Sequence, residues 1–252
     1  LGLVLAATAM AASVSAQTVA ASKTFDNWYV GINGGVATKT TQNKWLGNLN
    51  PNFGVRVGRY FTPVFGFAVE SNAYFSNKPF KSNGTAVRFI NTSLLGTTNL
   101  TNWIAGYQGE PRLFEVSAVY GLGWGHTFNS RHLKNSNALT SKLGIDFAFN
   151  FGKNKEWQAY VEPSIVYALN GSRDSYATNA KGDVTSLAFH GTEGIQYNIN
   201  RSMVQLNAGL IYKFKNSNGT HNFTIVTPRD QAEIDALNAQ INELRNRKPV
   251  VK

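Results

Sequence analysis

The sequence contains no cysteine among its 252 residues, and only 15% of the residues are charged. The lack of cysteine excludes a disulfide framework and any metal site built on thiolates. Beyond the N-terminal region, no uninterrupted apolar run reaches about 18 residues, the length that a membrane-spanning helix needs. Any insertion into a membrane must therefore use β-strands, whose sequence signal is weaker for each segment.

The clearest positive signal is a strict alternation of residue types near the C-terminus. One face is apolar and ends on two aromatic residues, whereas the other face is mixed. The apolar face consists of Val204, Leu206, Ala208, Leu210, Tyr212 and Phe214. Because successive side chains of a strand point to opposite faces, such a segment presents one face to lipid and the other to a polar interior. The pattern is typical of a transmembrane β-barrel.

The same alternation recurs along the chain and predicts an all-β fold, an eight-stranded antiparallel transmembrane β-barrel over residues 17–215. The predicted strands cover residues 27–38, 53–61, 65–76, 87–104, 113–128, 138–151, 157–169 and 204–214. The fourth strand is placed mainly by counting, because an even number brings both ends of the barrel to the same side of the membrane. Short turns at 62–64, 106–111 and 152–156 alternate with longer loops at 39–51, 77–86, 129–137 and 170–202.

Two places leave the strand assignment open. Pro163 lies inside the seventh predicted strand and lacks a backbone N–H, so the local register there is uncertain. Loop 170–202 contains enough apolar residues for an additional hairpin above the membrane. We do not count that hairpin as spanning, because it would place Phe214 on the opposite side.

The N-terminal segment, residues 1–16, is typical of a secretory signal peptide. Its apolar run is broken only by Thr8 and is too short to span a bilayer. Val14 and Ala16 supply the small residues that a signal peptidase site requires. We therefore predict cleavage between Ala16 and Gln17.

A change of character follows the barrel, with a polar linker over 216–226 and a predicted amphipathic helix and basic tail over 227–252. Thr227 is a candidate N-cap, and Pro228 suits the first helical position. The apolar seam of the helix is Ile234, Leu237, Ile241 and Leu244. Because about two heptads are too few for an independent coiled coil, packing on a neighbouring surface and homo-oligomer formation both remain open.

Several ionisable residues fall on the inward faces of the predicted strands. They are Arg56, Glu70, Glu115, Lys142, Asp146 and Glu162. Burying such charges is costly unless they pair, so we expect a network of ion pairs across the lumen. Eight strands enclose an interior that side chains can fill, which favours a plugged lumen over a conducting channel.

No catalytic residue, metal site or cofactor is predicted. The four histidines show no metal-ligand spacing, and nothing in the sequence places an orienting carboxylate beside His126 and Ser130. The net charge of +10 suggests contacts with the phosphates of lipopolysaccharide. Nucleic acid is not a predicted partner, because an exported chain without a recognisable binding motif has little chance to meet it.

Together these features resemble the OmpA family of Gram-negative outer-membrane proteins. The resemblance is carried by the eight-strand count, by segments 27–31, 121–126 and 230–245, and by the terminal Tyr212 and Phe214. It implies residence in the outer membrane and recognition of that aromatic end by the barrel-assembly machinery. The family also has a periplasmic domain that binds peptidoglycan through an Asp and an Arg, but no residue of this sequence matches those positions.

The resemblance leads us to expect an envelope-stabilising anchor whose segment 227–252 leads toward the cell wall. Two other functions remain open at this stage. One is a low-conductance porin for small solutes. The other is a surface adhesin that acts through loops 39–51, 77–86 and 170–202.

Overall fold

The computed structural model describes residues 19–79, 82, 84–128, 136–170, 177–178, 184–186, 194–226 and 231–246. The predicted cleavage site at Ala16 and Gln17 and the predicted helix start at 227–230 lie outside these residues. Among the described residues, no helix is long and apolar enough to cross a membrane.

Eight antiparallel strands close into a barrel, which confirms the predicted fold class. The strands of the chain are β1 (Trp28–Lys39), β2 (Asn50–Tyr60), β3 (Phe65–Tyr74), β4 (Phe89–Asn99), β5 (Phe114–Thr127), β6 (Ser136–Phe151), β7 (Trp157–Ala168), β8 (Ala177–Thr178), β9 (Val184–Ser186) and β10 (Ser202–Lys213). The order around the barrel is β1-β10-β7-β6-β5-β4-β3-β2, and β8 and β9 pair only with each other. The barrel has no free edge because β1 pairs with β10, with Tyr29 opposite Lys213.

The alternation seen in the sequence corresponds to the two faces of the barrel wall. In β4, Leu94 is 61% exposed on the outer surface, whereas the next residue, Leu95, is fully buried inside. The same contrast separates Val69 from Glu70 in β3. An apolar exterior and a mixed interior are what a strand needs when lipid covers one of its faces.

Pro163 lies within β7 and leaves the register unchanged. Pairing between β6 and β7 joins Gly144 to Ser164 on one side of the proline and Phe147 to Val161 on the other, with the same offset. The two residue pairs in between are missing from the ladder, because proline has no N–H to donate.

The predicted fourth strand is wrong at its C-terminal end. β4 stops at Asn99, and a short helix, α1 (Leu100–Ala105), follows it directly. Asn99 Oδ1 accepts a hydrogen bond of 2.9 Å from Asn102 N and thereby caps the helix. Asparagine is among the best N-cap residues, so this side chain ends the strand where the count continued it.

Two inward-facing glycines make room for lumenal tyrosine rings. A Cβ at Gly58 would lie 2.4 Å from the ring of Tyr29, and a Cβ at Gly209 would lie 2.4 Å from the ring of Tyr160. In each case the glycine and the tyrosine are directly paired across neighbouring strands. Large and absent side chains therefore complement each other inside a narrow barrel.

The two ends of the barrel differ. The terminal end, where β1 begins and β10 finishes, carries the β2–β3, β4–β5 and β6–β7 connections, and the loop end carries the longer ones. Beyond β10, α2 (Gln231–Asn246) presents Leu237 and Ile241 of the predicted seam with 38% and 58% of their surface exposed. The side chains of Ile234 and Leu244 lie outside the described set.

Candidate functional site: the lumen and its terminal mouth

Five ionisable side chains meet in the middle of the barrel and form the central charge layer. Arg56 Nε donates to Glu70 Oε2 at 2.7 Å, and Arg56 Nη1 donates to Asp146 Oδ2 at 2.9 Å. The same guanidinium also pairs with Glu162. Lys142 Nζ lies 2.6 Å from Glu162 Oε1 and pairs with Glu70 as well. Two cations are therefore shared among three carboxylates.

Strand register explains how residues so distant in sequence meet. Arg56 in β2 lies directly opposite Glu70 in β3, and both side chains are 99% buried. Lys142 and Glu162 reach the same level from β6 and β7 across the lumen. Because each charge has lost its hydration, removing one partner would leave the others uncompensated in a low-dielectric interior.

Glu115 does not join this layer, although its strand phase also points it inward. Its carboxylate accepts hydrogen bonds of 3.1 Å from Asn99 Nδ2, Asn150 Nδ2 and Arg112 N. These partners lie at the terminal end of the barrel, where Lys213 Nζ also donates to Asn150 Oδ1 at 2.8 Å. The six predicted charges therefore divide into a central group of five and a separate terminal layer around Glu115.

An apolar layer separates the two polar layers. Along β7 the inward residues run from Gln158 through Tyr160 to Glu162, and along β6 they run from Asn150 through Ala148 to Asp146. Tyr160 and Ala148 belong to a buried cluster with Tyr29, Leu95, Val119 and Ile211. The Tyr160 ring also faces the Arg56 guanidinium at 4.8 Å, a cation–π distance that helps to hold the charge in place.

A set of amides on the loop side of the central layer was not singled out from the sequence. Asn72 Nδ2 donates to Glu70 Oε1 at 2.8 Å, and Asn52 Nδ2 donates to Asn207 Oδ1 at 3.0 Å. Asn33 Nδ2 reaches Glu70 Oε2 at 3.4 Å. Each of these asparagines shares the inward phase of its strand, so the alternation that identified the charges could also have identified them.

A second apolar cluster follows toward the loop end. It consists of Ala37, Tyr74, Phe89, Val166 and Met203. Tyr74 links it to the polar layer, since its hydroxyl donates to Gln205 Oε1 at 2.7 Å. Polar and apolar layers thus alternate along the barrel axis.

At the terminal end, a small cavity of about 50 Å³ remains beside Glu115 and Lys213. Residues 215–226, here called the post-barrel segment, contribute His221, Asn222 and Phe223 to its lining. The His221 ring nitrogen Nδ1 lies 2.6 Å from the carbonyl oxygen of Lys213. The segment predicted as a linker therefore lies against the mouth of the barrel.

The aromatic end of β10 lies on the outer surface. Tyr212 contacts the Trp157 ring at 4.8 Å and the Phe214 ring at 5.7 Å between ring centroids. Phe214 N donates to the Trp28 carbonyl at 2.9 Å, and its side chain is 44% exposed. This position leaves Phe214 accessible beside the seam that closes the barrel.

Within the part of the chain that the structure describes, no group of three or more His, Asp or Glu side chains is arranged to hold a metal ion. His126 stacks on Trp124, and its Nδ1 lies 2.7 Å from Asn137 Oδ1. Ser130, His132 and His190 lie outside the described residues.

The chain is similar in sequence to a known outer-membrane protein, although no family model matches it. It is 29% identical over 239 residues to outer membrane protein 41 of Porphyromonas gingivalis strain W83. That alignment covers 90% of this chain and 57% of the relative, so the chain spans little more than half the relative's length.

Two solved barrels are also similar to this chain. Neisserial surface protein A matches with a TM-score of 0.49 and 12% identity, covering 74% of this chain and 97% of that one. The N-terminal barrel domain of OprF from Pseudomonas aeruginosa matches with a TM-score of 0.41 and 12% identity over the same shares.

A closed eight-stranded barrel with an apolar exterior and buried interior charges defines a transmembrane barrel protein. Together with the relative named as an outer membrane protein, this architecture makes the chain an OmpA-like barrel of the Gram-negative outer membrane.

Proposed function

We propose that this barrel is a non-enzymatic envelope anchor with a closed lumen, whose terminal end faces the periplasm and carries a tether toward the cell wall. The observation that carries the proposal is the attachment of the post-barrel segment to the barrel. A tether can hold a membrane to a wall only if its first residues are fixed to the membrane-embedded part.

The attachment begins with the residues that flank the barrel. Asn27 N donates to Asn216 Oδ1, and Asn216 Nδ2 donates to Asn27 Oδ1, both at 2.7 Å. The Asp26 carboxylate accepts from Ser217 N at 2.7 Å and from Ser217 Oγ at 2.8 Å. Here we call these four residues the terminal clasp.

Further contacts fix the rest of the post-barrel segment to other periplasmic elements. Tyr107 OH, from the β4–β5 connection, donates to the Phe223 carbonyl at 3.0 Å. Asn222 Nδ2 donates to the Asn154 carbonyl of the β6–β7 turn at 2.9 Å. Ile225 pairs with Val19 in an isolated bridge of the N-terminal segment. A pull on α2 would therefore be distributed over three parts of the barrel.

The filled lumen supports the anchor over the porin. The central charge layer, the tyrosine layer and the Glu115 layer succeed one another along the axis, and the fully buried side chains include Arg56, Lys142 and Glu162. Permeation would require separating ion pairs that have no water to replace them, which is energetically expensive. The porin and the adhesin are retained as outcomes of the experiments below.

The remaining partners are proposals that follow from this role. The barrel-assembly machinery would recognise the end of β10, and lipid and lipopolysaccharide would surround the apolar exterior. Peptidoglycan would be bound by a domain beyond residue 252. The exposed Leu237 and Ile241 offer α2 a surface for pairing with a second copy, in which isoleucine and leucine would alternate as in two-stranded coiled coils.

The experiment that tests the anchor uses the natural gene in its own bacterium. One strain lacks everything from residue 227 onward, and the control strain keeps the natural chain at matched outer-membrane abundance. We expect the truncated strain to release more outer-membrane vesicles, because its barrel no longer holds the membrane to the wall. Equal vesicle release from both strains would overturn the anchor.

A further inference from the structure

The outer surface of the barrel carries a large apolar groove near the loop end, with a volume of about 900 Å³. Its floor crosses β1, β10, β7 and β6, and its wall is the loop between β1 and β2. The floor includes Leu143, Ile165, Val204 and Leu206, and the wall includes Trp45 and Leu46. Four neighbouring strands spaced about 4.8 Å apart give the groove a width of roughly 14 Å.

The wall is held in place by hydrogen bonds within the loop. Trp45 Nε1 donates to the Thr40 carbonyl at 3.0 Å, and Asn48 N donates to the Lys44 carbonyl at 3.0 Å. Residues Leu46–Asn48 form a single 3-10 turn. The loop is thus a built structure that turns its apolar side chains toward the barrel's exterior.

The exposure of this wall shows which surroundings it suits. Leu46 is 88% exposed and Trp45 is 51% exposed, although both belong to a connection at the end of the barrel. Large apolar side chains presented together to water are unfavourable, whereas the same side chains are stabilised in hydrocarbon. The groove therefore opens into the lipid, at the level of the outer leaflet if the loop end faces outward.

The charge of the loop indicates the kind of lipid. Residues 39–51 include Lys39 and Lys44 and contain no acidic residue. Lys44 is exposed and immediately precedes Trp45, so a cation borders the apolar wall. A lipid with an anionic headgroup and several acyl chains would satisfy both features at once.

We propose that this groove binds one acyl chain of a lipopolysaccharide molecule, with a phosphate of its lipid A headgroup beside Lys44. The site needs the outward orientation of the loop end given under the proposed function, but it does not depend on anchoring or on a closed lumen. It defines a lipid-binding site on one side of the barrel, distinct from the general lipid contact of the remaining wall.

The test uses the full chain refolded in detergent micelles, with bisphosphorylated lipid A as the probe and native mass spectrometry as the readout. Leu206→Trp fills the groove, and Leu94→Trp is the matched control on the outer face of β4. We expect Leu206→Trp to weaken lipid A binding about tenfold, the effect of losing roughly two buried methylene groups, and Leu94→Trp to bind as the natural chain does. Equal binding by the two variants would overturn the site.

Additional arms keep the test decisive. Leu46→Ser changes an exposed loop residue and should weaken binding even if Leu206→Trp fails to fold. Lys44→Ala should weaken binding while Lys78→Ala, in another loop, should not. Excess inorganic phosphate should not displace lipid A, because the acyl chain supplies much of the affinity. Phosphatidylglycerol bound as tightly as lipid A would contradict the assignment to lipopolysaccharide.

Discussion

Asn27 and Asn216 exchange two hydrogen bonds across the terminal end of the barrel, one residue before β1 and three residues after β10. Asn27 has a positive φ of 62°, a backbone conformation that asparagine tolerates better than most residues. The pair joins the entry and the exit of the barrel, so the tether begins at a fixed point.

Replacing Asp26 tests the terminal clasp. Asp26→Ala removes the acceptor of both Ser217 bonds and should expose the post-barrel segment to protease while the barrel stays resistant. Limited proteolysis of the refolded protein in lipid vesicles provides the measurement. Asp235→Ala, on an exposed turn of α2, is the control and should leave the cleavage rate at the post-barrel segment unchanged. Equal protection of this segment with and without the Asp26 carboxylate would contradict the clasp.

The clasp should also open in acid. The hydrogen bond from Ser217 N holds the pKa of Asp26 below its ordinary value of 3.8. Because the folded pKa is lowered, this carboxylate contributes its full stabilisation above the unfolded pKa of about 3.9 and loses it as pH falls through the folded value. Cleavage of the post-barrel segment by an acid-active protease should therefore rise below about pH 4. The Asp26→Ala variant, already open, should show no such rise.

Arg56 provides the sharpest test of the central charge layer. Arg56→Met leaves three carboxylates with a single cation, and removing one partner of a buried pair typically costs about 3–5 kcal/mol. Arg59→Met is the matched control, because Arg59 is half-buried near the terminal end and donates only to two backbone carbonyls. Its expected cost is about 1 kcal/mol. Urea titration in lipid vesicles, followed by the migration of unheated protein in gels, measures both. Equal losses would rule out a special role for Arg56.

The separation of Glu115 from the central layer has its own consequence. Glu162→Gln removes a charge that two cations share, whereas Glu115→Gln removes one that accepts hydrogen bonds from amides and a backbone N–H. We therefore expect the first substitution to lower the free energy of unfolding more than the second. The same urea titration compares them, and the reverse order would place Glu115 in the network after all.

Sequence periodicity was sufficient for the faces of the strands but not for depth within the lumen. Alternation states that Glu115 and Glu162 both point inward, since side-chain direction follows from position along a strand. Which inward residues meet is decided by register and by stagger between strands, and one sequence does not specify either. For this reason the prediction combined two layers that an apolar layer separates.

Local chemistry was decisive in two other places. The end of β4 follows from the capping side chain of Asn99, a signal present in the sequence that strand counting overrode. The post-barrel segment is polar and lacks alternation, so it was interpreted as a linker. Its position depends on contacts with Asn27 and Tyr107, which are far away in the chain and invisible to a local pattern.

The glycine opposite Tyr160 should not tolerate a side chain. Gly209→Ala places a Cβ 2.4 Å from the ring, and overpacking of this kind typically costs about 1–3 kcal/mol. Gly34→Ala is the matched control in β1, because its Cβ would meet its nearest atom at 3.5 Å. Combining Gly209→Ala with Tyr160→Ala should cost less than the sum of the two single changes. Strict additivity would show that the contact does not matter.

Phe214 should matter for assembly more than for stability. Phe214→Ala is expected to reduce the amount of folded protein in the outer membrane, since the resemblance assigns the aromatic end of the last strand to recognition by the assembly machinery. Phe151→Ala is a close control, because Phe151 is also aromatic, similarly exposed and located at the terminal end of β6. Normal membrane levels and normal heat-modifiable migration of Phe214→Ala would remove this role.

The most direct measurement of a barrel that holds rather than transports is single-channel conductance of the refolded full chain in planar bilayers. The natural protein should remain electrically silent at neutral pH when folding is verified in the same preparation, because successive side-chain layers fill the lumen. Glu70→Ala and Lys142→Ala disturb the central charge layer and show whether any current passes through it. Reproducible current steps from the natural chain, altered by either substitution, would contradict the closed lumen and establish the porin instead.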